Sequence, residues 1–173
     1  MGRARSLVVL ERGRPLRFTF ADLMRHHGGG SPGGVAHAWT VLERGLPLVA
    51  PDGPPERREI VVRTAFGGPG ARDGFELVTR AVTDGRYVVD PALARPERGF
   101  AMERFVFVLA HLGAAVTLTV RDGFVPEALI ALARREPRSP DEERELDRLK
   151  LEMCRRVMAA PADAVYDASA GGA

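Results

Sequence analysis

Cysteine and lysine are almost absent from this chain. The single cysteine, Cys154, excludes an intrachain disulfide and suits a reducing compartment. The single lysine is Lys150, so arginine carries the positive charge, and the net charge is only +2. Because the basic residues are interleaved with Asp and Glu and form no basic helix, we expect no nucleic-acid partner.

Apolar residues form no run that is long enough to cross a membrane. The longest candidate, residues 105–120, is interrupted by His111 and Gly113. The first five residues carry charge, and the apolar segment before Glu11 is too short for the core of a signal peptide, so none is expected. We expect a cytoplasmic protein without a membrane partner. Hydrophobic residues make up 45% and charged residues 28%, which favours a folded domain over a disordered chain.

The periodicity of the apolar residues predicts an α+β fold, with a small, mainly antiparallel sheet packed with helices. Strands are predicted at residues 6–10, 59–65, 86–90, 104–110 and 114–121. Helices are predicted at residues 17–25, 31–45, 73–82, 126–135 and 139–159. One domain is expected over residues 17–167, after an N-terminal arm or strand of residues 1–16 and before a disordered tail of residues 168–173.

Several residues predict where the helices begin and end. Thr19 is a candidate N-cap of the first helix, and Ser31, followed by proline, is a candidate N-cap of the second. Gly45 is expected to end that second helix. Ser139 and Glu142 form a capping box at the start of the last long helix.

Three segments carry a resemblance to a known family. Residues 27–33 read His-Gly-Gly-Gly-Ser-Pro-Gly, residues 65–67 read Ala-Phe-Gly, and residues 73–76 read Asp-Gly-Phe-Glu. In this order they are similar to the His-Gly-His-x-Cys-Pro-Gly and Cys-Gly-Val-Asp-Ala motifs of the FmdE-like family, which is related to formylmethanofuran dehydrogenase. The resemblance extends over residues 17–167 and implies a homodimer with a pocket near the first motif.

The departures from these motifs concern the metal ligands. The resemblance implies a site in which a histidine and thiolates surround a metal ion. Its first histidine matches His27, but its second matches Gly29, and its two cysteines match Ser31 and Phe66. A neutral serine is a poor ligand for a soft divalent ion, and the Gly and Phe side chains cannot bind one. We therefore expect no cofactor, and a pocket in the same place with different chemistry.

His27 is the main catalytic candidate, because an imidazole exchanges protons near neutral pH. Asp73 could orient it, although a capping role also explains this aspartate. Ser31 could be a nucleophile beside His27, although an N-cap hydroxyl explains the serine as well. A metal or haem held by His26, His27 and His37 is an alternative, but His26 also fits a solvated helix end and His37 a polar helix face.

The ligand-binding candidates are Gly28, Gly29, Gly30, His37, Arg63, Arg72 and Trp39. The glycines precede a capped helix, so their amides suit a carboxylate or phosphate, although a plain inter-helix loop explains them equally well. The arginines could pair with an acidic substrate. The tryptophan could line an aromatic pocket, although core packing is its usual role.

Three functions remain open at this point. The first is a repurposed enzyme of the family, which acts on a small polar or anionic organic molecule through acid–base chemistry of His27. Specialised metabolism is its expected setting, by analogy. The second is a non-catalytic protein that binds a metal complex, haem or another small ligand. The third is a structural component of a complex, with an empty site.

Overall fold

The computed structural model describes residues 5–171, which form six α-helices and seven β-strands. The helices are α1 (Phe20–His27), α2 (Pro32–Val49), α3 (Pro69–Thr79), α4 (Glu127–Ala133), α5 (Pro140–Ala159) and α6 (Ala162–Val165). The strands are β1 (Leu7–Glu11), β2 (Arg14–Phe18), β3 (Val61–Thr64), β4 (Tyr87–Val89), β5 (Val106–His111), β6 (Ala114–Val120) and β7 (Tyr166–Ala170). Within this part of the chain, no helix combines the length and apolar character that a membrane crossing requires.

The strands form two sheets. β1 and β2 pair antiparallel as a separate hairpin, whereas the larger sheet has the order β4-β3-β5-β6-β7. In this larger sheet β3 and β4 are parallel, because helix α3 connects them and returns the chain to the same end of the sheet. The other neighbouring strands are antiparallel. The predicted α+β class with mainly antiparallel strands is confirmed.

Helix α2 lies at the centre of the core. Most of its residues are buried, and it packs against α3, α5 and the larger sheet. Gly45 faces that sheet, where a Cβ would collide with Leu109 and lie 2.9 Å from Cδ1 of Leu118. The glycine therefore permits close approach of helix and sheet and does not end the helix, which continues to Val49 with Pro47 in its last turn. The predicted stop at Gly45 is wrong.

The first helix begins at the predicted cap but later than predicted. The Thr19 side chain accepts the N–H of Asp22, and the Asp22 carboxylate accepts the N–H of Thr19, so the cap is confirmed. The predicted start at residue 17 is wrong, because β2 extends to Phe18, which pairs with Leu7. The buried Leu7 side chain joins this hairpin to the core.

Two further boundaries differ from the prediction. Helix α3 begins at Pro69 rather than Asp73, since proline suits the first position of a helix. Strand β7 pairs with β6, so the prediction of a disordered tail is wrong for residues 168–170. The remaining predicted tail positions, 172–173, and the first four positions of the predicted arm lie outside the described residues.

Candidate functional site

The loop between α1 and α2 turns on two glycines. His27 is the last residue of α1, and Gly28 ends that helix in the left-handed conformation, with a φ of 84°. Gly29 also has a positive φ, 88°, which residues with a side chain rarely adopt. Ser31 then takes the N-cap position of α2, beside the end of α1.

Both nitrogens of the His27 imidazole are hydrogen-bonded. Nε2 accepts the backbone N–H of Ser31 at 2.8 Å, and Nδ1 lies 2.8 Å from Oδ2 of Asp73. Because Nε2 is an acceptor, the proton of the neutral ring lies on Nδ1, which donates to the carboxylate. The side chain of His27 is only 7% exposed, compared with 31% for Asp73. The structure therefore brings the three predicted catalytic residues together, with the imidazole joining α1, the start of α2, and α3.

Ser31 contacts this histidine through its backbone. Ser31 occupies the predicted N-cap position of α2, but its side chain makes no capping hydrogen bond, so only the predicted role of its hydroxyl is wrong. A general base needs a nitrogen that faces the proton it removes. In His27 one nitrogen faces the Ser31 amide and the other faces Asp73. In this arrangement His27 ties neighbouring segments together, through hydrogen bonds to Ser31 and Asp73. Catalysis by His27 would require the Ser31 amide to move away.

The three predicted glycines lie at the surface. Gly28, Gly29 and Gly30 are exposed, and the space beside each of them is open to 4 Å from a hypothetical Cβ. Lys150 of helix α5 donates to the carbonyl oxygen of Gly30 at 3.2 Å. This contact satisfies an acceptor of the loop and places the single lysine of the chain next to it.

The two remaining histidine candidates differ in their exposure to solvent. His26 is exposed at the end of α1, whereas His37 is fully buried, with Nδ1 2.7 Å from the Tyr166 hydroxyl. Burial lowers the pKa of His37 to about 3, although the backbone of Phe124 acts in the opposite direction. Across residues 5–171, no three His, Cys, Asp or Glu side chains are grouped so that they could hold a metal ion.

A cavity of about 300 Å³ lies beside the segment that leads into α3. Its lining consists of Phe66, Gly67, Gly68, Phe100, Ala101, Arg104, Phe105, Ile130, Ala133 and Arg134. The first turn of α3, which follows this segment, contacts the His27 loop, because a Cβ on Gly70 would lie 3.0 Å from the Cβ of Ser31. The chain thus passes from the cavity lining at Gly67 and Gly68 directly into the turn that contacts Ser31.

Aromatic rings form the apolar part of this cavity. The rings of Phe66 and Phe105 are stacked, with centroids 4.3 Å apart and planes 28° apart. Phe105 is 1% exposed and also packs against the buried His37, at a centroid distance of 4.8 Å. Phe100 lies at the rim and is 41% exposed. The cavity is therefore lined by aromatic rings that pack on one another and on the core.

Two arginines give the rim its charge. Arg134 lies over the Phe100 ring, with Cζ 5.5 Å from the centroid, and its Nη2 is 3.1 Å from Oε1 of Glu103. Nε of Arg104 is 3.9 Å from the same carboxylate oxygen, and the Arg104 side chain is 60% exposed. Because one carboxylate faces two guanidinium groups, this rim keeps an excess of about one positive charge.

The other predicted ligand residues lie outside the lining of this cavity. Trp39 is buried against Phe20, edge to face, with ring centroids 6.0 Å apart. Arg63 pairs with Asp90 at 2.6 Å, and Arg72 is 55% exposed on α3. Sequence patterns did not point to Arg104 and Arg134, because these two residues lie in separate segments that meet only in the folded chain.

A larger cavity, of about 470 Å³, lies between the proline-rich loop after α2 and the β5–β6 turn. Two of the carboxylates that line it already have partners. Glu56 accepts the backbone N–H groups of Arg12 and Gly13, and Oε2 of Glu59 lies 3.3 Å from Nε2 of His111. The smaller cavity is therefore the better candidate, since its rim holds an arginine that is largely open to solvent.

No model of a known protein family matches this chain, and no curated protein matches it significantly.

Proposed function

We propose that this protein binds a small anionic organic molecule in the cavity beside α3. The observation that carries the proposal is the pair of arginines, Arg104 and Arg134, which share the single carboxylate of Glu103 above an aromatic floor. Ligand cavities usually combine an apolar lining with a few polar groups that orient the ligand. A volume of about 300 Å³ lies at the lower end of the range for small-molecule sites.

Membership of the FmdE-like family is part of this proposal. The position that matches a motif cysteine is Phe66, and this ring lines the cavity. In place of a thiolate that binds a metal, the chain offers a surface on which an organic group can pack. A homodimer, as the resemblance implies, remains a prediction.

Acid–base catalysis by His27 is the second candidate. The specific observation in its favour is the hydrogen bond from Nδ1 to Asp73, since a carboxylate in this position orients an imidazole in many enzymes. The bond from Ser31 to Nε2 favours the binding function instead, because it occupies the nitrogen that a substrate would need. Binding without catalysis therefore agrees better with the observed geometry.

Replacing Arg104 by Gln tests the binding function. Phenylacetate and cyclohexylacetate serve as probe anions, and binding is measured by calorimetry or by NMR titration. We expect Arg104→Gln to weaken the binding of both acids about 10-fold or more, because a hydrogen bond between charged groups contributes about 1.5–3 kcal/mol.

Arg72→Gln is the matched control. Arg72 and Arg104 are similarly exposed, at 55% and 60%, but Arg72 lies outside the cavity lining. We expect this variant to bind both acids like the parent protein. Equal losses in the two variants would reveal a general charge effect, and absence of binding to the parent protein would overturn the proposal.

A further inference from the structure

The ligand of this cavity can be defined more closely from its floor. Phe66 is partly buried and stacks on Phe105, which is almost fully buried and rests on His37. A ring supported in this way keeps its orientation when a ligand arrives, so little side-chain freedom is lost on binding. Such a surface favours a flat group that can stack on it.

The charge of the rim limits the anion. Arg104 and Arg134 provide two positive charges, and Glu103 neutralises one of them. A single carboxylate balances the remaining charge, whereas a phosphate dianion would exceed it. The planar guanidinium of Arg104 also matches the geometry of a carboxylate, with which it can form two parallel hydrogen bonds.

We propose that the ligand is an aromatic monocarboxylate, whose ring packs against Phe66 and Phe100 and whose carboxylate pairs with Arg104. This inference rests on the binding function proposed above. The two aromatic side chains line the same cavity as the arginine, so one small molecule can contact all three. Arg134 is already held by Glu103 and by the carbonyl oxygen of Phe100, at 3.1 and 3.2 Å. Arg104 is therefore the guanidinium available to the ligand.

Comparing the affinities of two acids of the same charge and similar size distinguishes ring stacking from simple apolar burial. Phenylacetate has an aromatic face and cyclohexylacetate does not. We expect the parent protein to bind phenylacetate about 3- to 10-fold more tightly, because an aromatic pair adds about 0.5–1.5 kcal/mol beyond its buried area. Phenyl phosphate, a dianion, should bind more weakly than phenylacetate.

Phe66→Leu should reduce the preference between the two acids, since leucine keeps most of the apolar volume but has no ring face, and only Phe100 remains to stack. Phe20→Leu is the control, because Phe20 packs against Trp39 outside the cavity lining; it should keep the preference. Equal affinities of the parent protein for the two acids would overturn the aromatic assignment and leave the binding function intact. If neither acid binds, the binding function itself fails.

Discussion

At the scale of single residues, His27 shows how a chemically reactive side chain can serve structure. Its two nitrogens hold the Ser31 amide and the Asp73 carboxylate, which belong to two other helices. The first of these bonds requires a lone pair on Nε2, and the second favours a proton on Nδ1, so the bonds together select one neutral tautomer. His27, the main catalytic candidate by its chemistry, therefore makes two hydrogen bonds that hold the fold together.

Replacing His27 by Ala should lower the free energy of unfolding by about 1–3 kcal/mol, because the N–H of Ser31 and the Asp73 carboxylate lose a partner. His26→Ala is the matched control: this neighbour is exposed, and we expect a change within about 0.5 kcal/mol. Urea denaturation of the three proteins measures the difference. If both alanine variants are equally stable, the tie described for His27 is not a stabilising contact.

At the scale of helices and strands, α3 can pack closely against α2 because a glycine, Gly70, lies at the contact. A Cβ on Gly70 would collide with the carbonyl oxygen of Ser31 and lie 3.0 Å from the backbone nitrogen of Val35. Backbone atoms cannot move aside as a flexible side chain can. The first turn of α3, which directly follows the cavity residues Phe66, Gly67 and Gly68, is therefore positioned by a glycine.

Gly70→Ala should destabilise the protein by about 1–3 kcal/mol through this overpacking, despite the higher helix propensity of alanine. Gly30→Ala, in the nearby loop, meets no atom within 4 Å and should change stability by about 0.5 kcal/mol or less. Thermal or urea unfolding provides the measurement. A Gly70→Ala protein as stable as Gly30→Ala would show that the two helices can separate at little cost.

Local signals predicted those features that depend on a few neighbouring residues. The predicted N-cap at Thr19 and the predicted capping box at Ser139 each involve residues three positions apart, and both are present. Strand β7 was missed because its partner, β6, lies much earlier in the chain, and its sequence is rich in Ala. The role of Gly45 could not be read locally either, since only the folded sheet places Leu109 against it.

In the candidate site, too, the sequence predicted some residues and missed others. His27, Ser31 and Asp73 were selected by their chemistry and by the family resemblance, and the structure places them in contact. The cavity depends on segments around residues 66, 100 and 134, which no short motif connects. The sequence gives no reason to prefer Arg104 over Arg63 or Arg72 as a ligand-binding residue. Only the folded structure shows that Arg104 lines the cavity.

At the scale of the whole molecule, one buried hydrogen bond connects distant parts of the chain. His37 of α2 and Tyr166 of β7 are both 0% exposed, and they are 129 positions apart. Desolvation lowers the pKa of His37 to about 3 and raises that of Tyr166, so both groups stay neutral in the folded protein. In the unfolded chain the imidazole takes up a proton near its ordinary pKa of 6.5. The unfolded state therefore binds more protons between these two pH values, and acid favours unfolding.

This difference predicts that the contribution of His37 to stability is greatest above pH 6.5 and falls as the pH is lowered toward 3, by up to about 1.4 kcal/mol for each pH unit. Urea denaturation between pH 5 and pH 7 isolates the histidines, since carboxylates such as Asp22, whose pKa is lowered to about 2, remain ionised there.

A double variant, His37→Leu with Tyr166→Phe, removes both polar groups and should show a shallower dependence of stability on pH. His26→Gln should keep the dependence of the parent protein, and the His37 ring should show no NMR titration in the folded protein over this range. An unchanged slope in the double variant, or a titrating His37 signal, would mean that the buried pair exchanges protons with solvent and does not couple folding to pH.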